Sequence, residues 1–193
     1  MSVVIRHYDA PPVDKNEILR YMKGGGEASA LVDEALSLSW DRLSYRVCYR
    51  VDPCRVSYKA VETPYVTWES VSLSKALTDC DSVVTFAATL GIELDRLIAR
   101  FGYTSPVRAL SLSAVGSERI EALADAFCRD MAREYGTLSM RFSPGYGDFP
   151  LEAQTTVFSL LSPQKTIGLS LTDLGTMTPE KSVTALIGVK RKQ

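Results

Sequence analysis

Histidine is nearly absent from this chain: it occurs once in 193 residues, at His7. No recognisable catalytic partner stands beside it in the sequence, which argues against serine or cysteine triads and multi-histidine metal centres. Cysteine is scarce as well. Cys48, Cys54, Cys80 and Cys128 show none of the close pairing of a zinc site, and reduced thiols in or near a core are expected. An excess of one charge is also missing. With 22 basic and 23 acidic residues the net charge is −1, so no global field draws nucleic acid. No apolar run approaches the ~20 residues that span a bilayer. Met-Ser-Val-Val-Ile-Arg-His at the start is too short and too polar for a signal peptide. The expected setting is therefore cytoplasmic, with neither a membrane nor a nucleic acid as partner. Two phosphate motifs are incomplete. Gly24-Gly25-Gly26 lacks a preceding strand and a Gly-Lys-Ser/Thr ending. The strand–turn–helix around Gly91 has one glycine where a dinucleotide fold needs three.

What is present reads as one compact unit, since ~100–200 residues per domain is typical. Residues 1–193 are expected to form a single domain, with residues 1–43 as an N-terminal helical segment. Lys15–Met22 reads as a short helix stopped by Lys23 and the glycines, and a second runs from about Glu27 to Leu43. Tyr45, Val47, Tyr49 and Val51 alternate with polar residues as in a half-buried strand, with Arg55–Val61 as its return. Ser82–Ala88 is nearly all apolar and β-branched, which predicts a strand buried on both faces. Helix Glu93–Phe101 follows and is closed by Gly102. A long helix opens at Pro106, with Thr104 or Ser105 as its cap, bends at Gly116 and ends at Gly136. Its apolar stripe, Ile120, Leu123, Ala124, Phe127 and Met131, leaves Glu118, Asp125 and Arg129 on the opposite face. Glu118, Glu121 and Asp125 are expected on a solvated face with helix ion pairs; the alternative is that one of them meets a ligand. Asp148 is expected to cap a helix over 151–161. Ile167–Leu171 and Val183–Val189 alternate as two half-buried antiparallel strands, with Lys181 and Ser182 as a charged strand entry. The expected class is α+β: a mainly antiparallel twisted sheet with flanking helices.

The densest chemistry lies in Arg141-Phe-Ser-Pro-Gly-Tyr-Gly-Asp-Phe-Pro150. Such a stretch is most often a Pro-Gly turn with an exposed arginine. The other reading is a carboxylate grip. Arg141 can hold a carboxylate with two parallel hydrogen bonds, and a turn restricted by Pro144 presents the ring of Tyr146. Gly145 and Gly147 leave backbone bare for a ligand.

Arg141, Pro144, Gly145 and Tyr146 resemble the arginine, three residues, Gly-Tyr pattern of the activation domain of cobalamin-dependent methionine synthase. Residues 120–127 are similar to the helix before that turn, and residues 177–188 to the strand region after it, so the resemblance covers about 117–189. The N-terminal half is more similar to the short, free-standing members. Gly147 stands where full-length members have proline, and their tyrosine-rich strand end is missing after Val189. The resemblance implies S-adenosylmethionine as ligand, with Arg141 on its methionyl carboxylate and Gly145–Gly147 giving backbone contacts. Phe142 and Pro144 would shape the pocket, and Asp125 would meet the ammonium or ribose. Tyr146 would stand between ligand and corrin, as the residue nearest the chemistry.

The implied function is support of reductive methylation of cob(II)alamin to methylcobalamin. No Asp-x-His-x-x-Gly signature is present, so cobalamin would arrive on a cobalamin-binding methionine synthase chain, with a flavodoxin-type or other electron donor. This chain would not be sufficient for methionine synthesis alone. The alternative is a non-catalytic docking subunit of a corrinoid protein that does not use S-adenosylmethionine. A small-molecule enzyme unrelated to cobalamin would instead require a cleft lined by perturbed carboxylates.

Overall fold

The computed structural model describes residues 2–23 and 28–190. The triple glycine and Glu27 lie outside the described residues. The apolar run predicted to be a doubly buried strand is β6 (Cys80–Thr89), and it occupies an inner position of the main sheet. Around it stand β1 (Val4–Tyr8), β2 (Tyr45–Pro53) and β9 (Ser182–Lys190), in the order β1-β2-β6-β9 with every pair antiparallel. Alternation along the strands divides the core into two. Val47, Tyr49, Phe86, Ala88, Ala185 and Ile187 feed one side, while Cys48, Val83, Ala87 and Leu186 feed the other.

Four helices cover the first side. Helix α1 (Lys15–Met22) starts where the Asp14 carboxylate accepts from the backbone N–H groups of Asn16 and Glu17. It stops where Lys23 turns left-handed, at φ 52°. Helices α2 (Ser29–Ser39) and α4 (Glu93–Thr104) flank α5 (Pro106–Tyr135), which carries proline in its first turn. From α5 the Phe127 ring enters the core, 4.7 Å from Phe86 and 5.1 Å from Tyr49. Burying one such ring stabilises by roughly 1.5–3 kcal/mol.

A second layer covers the other side. It holds a small antiparallel sheet of β3 (Arg55–Val56), β4 (Ala60–Glu62) and β5 (Thr67–Glu69), followed by α3 (Val71–Ala76). Helices α6 (Ala153–Leu161) and α7 (Pro163–Thr166) and a hairpin of β7 (Ser170–Leu171) with β8 (Met177–Thr178) complete it. Trp68 and Phe149 meet edge-on at 5.7 Å across this layer. All four cysteines are free thiols, and burial pushes Cys54 up to about 11. No helix among the described residues is long and apolar enough to cross a membrane.

Several local expectations give way to tertiary structure. The return strand 55–61 is broken into β3 and β4 by a turn in which Ser57 N–H donates to Ala60 O. Ile167 and Leu169 do not form a strand with Leu171. They are buried beneath the sheet after α7, and only Ser170–Leu171 pairs, with β8 rather than β9. Strand β9 is buried on both faces through its middle, not half-buried. Helix α2 ends at Ser39, α4 runs past Gly102 to Thr104, and α6 begins at Ala153. Helix α5 runs unbroken through Gly116, which serves close packing rather than a bend. A Cβ there would stand 2.5 Å from Leu94 and 2.8 Å from the Lys181 stem. Strands β1 and β5 and helix α3 were not anticipated at all.

Candidate functional site

After α5 ends at Gly136 (φ 95°), the chain turns back and runs along the outer edge of β9. Lys190 N–H donates to Thr137 O at 2.8 Å and Ser139 N–H to Gly188 O at 2.8 Å. Phe142 and Leu186 exchange backbone bonds of 2.9 Å in both directions. Ser139 Oγ accepts from Gly188 N–H at 2.8 Å. This strap covers the sheet edge and aims Arg141 at α5. Arg141 Nη2 donates to Glu121 Oε2 and to Asp125 Oδ1, each at 2.9 Å. One nitrogen thus serves both carboxylates. Among the described residues Nε and Nη1 hold no partner, and a fork remains for a further carboxylate. The carboxylates are 48% and 57% exposed, so they belong to an open surface that ions can reach.

Glu121 and Asp125 also line a groove of about 860 Å³ between α1 and α5. Its other wall carries Asp14, Glu17 and Tyr21. The sequence marks Asp14 and Glu17 as a helix start but holds no sign that α1 stands beside Arg141. Asp125 therefore lies next to Arg141, as does Glu121, each as an exposed ion-pair partner. Glu118 differs from expectation. It is 4% exposed, with Oε2 accepting from Arg119 Nε at 2.5 Å and Oε1 from the Asp14 N–H at 3.1 Å. The segment leading into α1 covers it, because Arg119 also donates to Pro11 O and Pro12 O at 2.6 and 2.7 Å. One turn beyond Asp125, burial pushes the Cys128 thiol up to about 11, so no thiolate stands there.

The turn itself is held by Tyr146 N–H to Ser143 O at 3.2 Å, Phe149 N–H to Tyr146 O at 2.9 Å and Gly145 N–H to Phe149 O at 2.8 Å. Gly145 (φ 92°) meets only Leu151 on its Cβ side, at 3.6 Å, and remains open. Gly147 (φ 57°) is occupied differently. A Cβ there would lie 2.5 Å from Ser72 Oγ, so its bareness lets the turn close against α3. Pro144 is buried, Phe142 is half-buried with its ring 6.2 Å from Phe149, and Tyr146 is 65% exposed.

Asp148 does not cap α6. Its oxygens accept from Ser70 Oγ at 2.5 Å, Ser72 N–H at 2.9 Å and Val71 N–H at 2.8 Å. Those bonds, that of Ser70 first, hold its carboxyl well below the usual range. Lys181, expected at a strand entry, is half-sheltered and donates to Ser113 Oγ and Ser117 Oγ at 3.0 and 3.1 Å, and burial lowers its pKa.

Fold and site together define an α+β domain that carries an arginine turn on a sheet edge, ion-paired with two carboxylates that line an open groove. The family model of the vitamin B12 dependent methionine synthase, activation domain, matches residues 71–193. The chain belongs to that family. Among solved structures it is similar to the MetH reactivation domain bound to AdoHcy, with a TM-score of 0.78 at 16% identity, covering 100% of this chain and 80% of that one. No curated protein matches it.

Proposed function

We propose that this chain is an S-adenosylmethionine-binding activation module, and that it supports reductive methylation of cob(II)alamin to methylcobalamin on a cobalamin-binding methionine synthase chain. The observation that carries the reading is the half-used Arg141. Its free Nε and Nη1 suit the methionyl carboxylate, and Asp125 and Glu121, already within 2.9 Å of Nη2, suit the ammonium of the same ligand. Spacing between opposite charges of this kind is what an amino-acid end requires. A groove of about 860 Å³ lies within the size range of small-molecule sites, about 300–1,000 Å³. The similar MetH domain, bound to AdoHcy, supports the same ligand class.

S-adenosylmethionine would supply the methyl group to the reduced corrinoid of the partner and leave as S-adenosylhomocysteine, with one electron from a flavodoxin-type or other donor. What remains for this chain is positioning. Arg141 anchors one end of the ligand, the open backbone at Gly145 lets it lie close, and Phe142 and Pro144 support the turn from beneath. Gly147 contributes by closing that turn on Ser72. Tyr146, exposed at the rim, stands between ligand and corrin, where its ring also favours the sulfonium charge. The chain works as one module in a cytoplasmic setting.

Calorimetric titration of S-adenosylmethionine into the protein, alone and with a cobalamin-loaded methionine synthase fragment, tests this reading. Binding that falls at least about tenfold in Arg141→Ala is expected, since the fork is lost. Equal affinity in that variant overturns the assignment of Arg141. Absence of heat in both formats, with the partner still bound, favours a docking subunit that does not use this ligand.

A further inference from the structure

Five arginines among the described residues are buried or half-buried: Arg6, Arg46, Arg50, Arg119 and Arg141. Four of them hold a carboxylate. Arg6 pairs with Glu134, Arg50 with Asp52, Arg119 with Glu118, and Arg141 with Glu121 and Asp125. Arg46 is the exception. Its Nε is buried without a hydrogen-bond partner, and no carboxylate among the described residues reaches its terminal nitrogens. Sheltering a guanidinium without compensation is costly, which is why such groups are almost always paired.

Arg46 stands where the neighbouring backbone carries no side chains. It lies at the end of β2, opposite His7 on β1 and Thr89 on β6, so these side chains share one face of the sheet. Two left-handed glycines border the guanidinium. A Cβ on Gly168 (φ 73°) would stand 3.6 Å from Nη1 and 3.9 Å from Nη2. One on Gly91 (φ 80°) would stand 3.3 Å from Nη2 and would touch Ser44 Oγ. A Cβ at Gly91 would therefore crowd the fork, and one at Gly168 would rest in ordinary contact with it. Thr89 Oγ1 is already engaged, accepting from Gly91 N–H at 3.2 Å and Ser182 Oγ at 2.8 Å. The free donors are therefore Arg46 Nη1 and Nη2; the Ser44 hydroxyl beside them donates a long bond, 3.4 Å, to Leu90 O, which a charged acceptor can displace.

We infer that Arg46, Ser44 and the bare backbone at Gly91 and Gly168 form a second ligand site, which takes a small oxyanion: a carboxylate or a phosphate group. Either matches a guanidinium fork bidentately. The site lies on the opposite face of the sheet from the groove beside Arg141, and it stands or falls independently of the function proposed above.

The test is a titration of ¹⁵N-labelled protein with inorganic phosphate and, separately, with acetate. It is read from the Arg46 Nε–Hε resonance and the backbone amides of Gly91 and Gly168. Saturable shifts at all three are expected; in Arg46→Lys, which lacks the fork, the two glycine amides should report binding weaker by about tenfold, and in Arg141→Ala all three should be unchanged. Saturation by phosphate at the lower concentration assigns a phosphorylated ligand, and by acetate a carboxylate one. The glycine amides are read in the unsubstituted protein, so the test survives if Arg46→Lys fails to fold; Ser44→Ala then serves as the second variant and is expected to weaken binding. Shifts that fail to saturate with either anion, or that persist unchanged in Arg46→Lys, overturn the inference.

Discussion

Two arginines meet carboxylates that sit a turn or two apart on α5, and they do opposite things with the same chemistry. At Arg119 every nitrogen is engaged: two bonds to Glu118 and one each to Pro11 O and Pro12 O, with both side chains almost fully buried. At Arg141 a single nitrogen serves two exposed carboxylates and the rest of the fork is open. Saturation and burial make the first cluster a fastening for the segment before α1. Exposure and spare donors leave the second open to a further carboxylate. Residue type does not separate them, since both are arginines facing glutamate or aspartate.

The comparison can be broken most severely at Glu118. Glu118→Ala leaves Arg119 buried without its counter-charge, and a loss of about 3–5 kcal/mol in urea unfolding is expected; a loss below about 1 kcal/mol would mean the cluster is no fastening. Next comes the turn that carries Arg141. In Gly147→Ala a Cβ 2.5 Å from Ser72 is added to a left-handed backbone, and a cost of about 1–3 kcal/mol is expected by thermal unfolding. Wild-type stability in that variant would remove the argument that the turn is held by α3.

Asp148→Asn sharpens the same point through pH. The folded carboxyl of Asp148 titrates below the ordinary range because Ser70, Ser72 and Val71 donate to its charged form. Its stabilising contribution is therefore complete above the unfolded value of about 3.9 and is lost as pH falls below it, towards the folded value. The gap in melting temperature between the parent and Asp148→Asn should be widest near neutrality and close in acid, and a gap that stays constant with pH would count against that carboxylate role. The smallest stability change is expected at Arg141 itself. Arg141→Ala should unfold within about 1 kcal/mol of the parent, because its partners are solvated, and yet bind S-adenosylmethionine far more weakly. A large stability loss without loss of binding would invert the comparison.

Strong local patterns reached the structure unchanged. Helix α1 spans Lys15–Met22 and stops at Lys23, the β-branched run became β6, and Pro106 to Gly136 bounds α5. Weak ones did not. Alternation at Ile167, Leu169 and Leu171 has the period of a strand, yet burial of Ile167 and Leu169 beneath the sheet satisfies it equally well. Asp148 looked like a cap for the next helix and instead caps α3, 78 residues from Ser70, because an aspartate before a helix carries no mark of which helix it serves. Glu118, Glu121 and Asp125 fall on one helix face by periodicity, so only the packing of residues 11–14 over Glu118 distinguishes it from the other two.

By itself the sequence determined the α+β class, the long helix, the buried strand and the arginine turn with its family, since each rests on neighbours within a few residues. Tertiary structure alone decided which arginine is spent and which is open. That outcome depends on groups 20, 108 and more residues apart in the chain, and no local pattern encodes which distant backbone will cover a side chain.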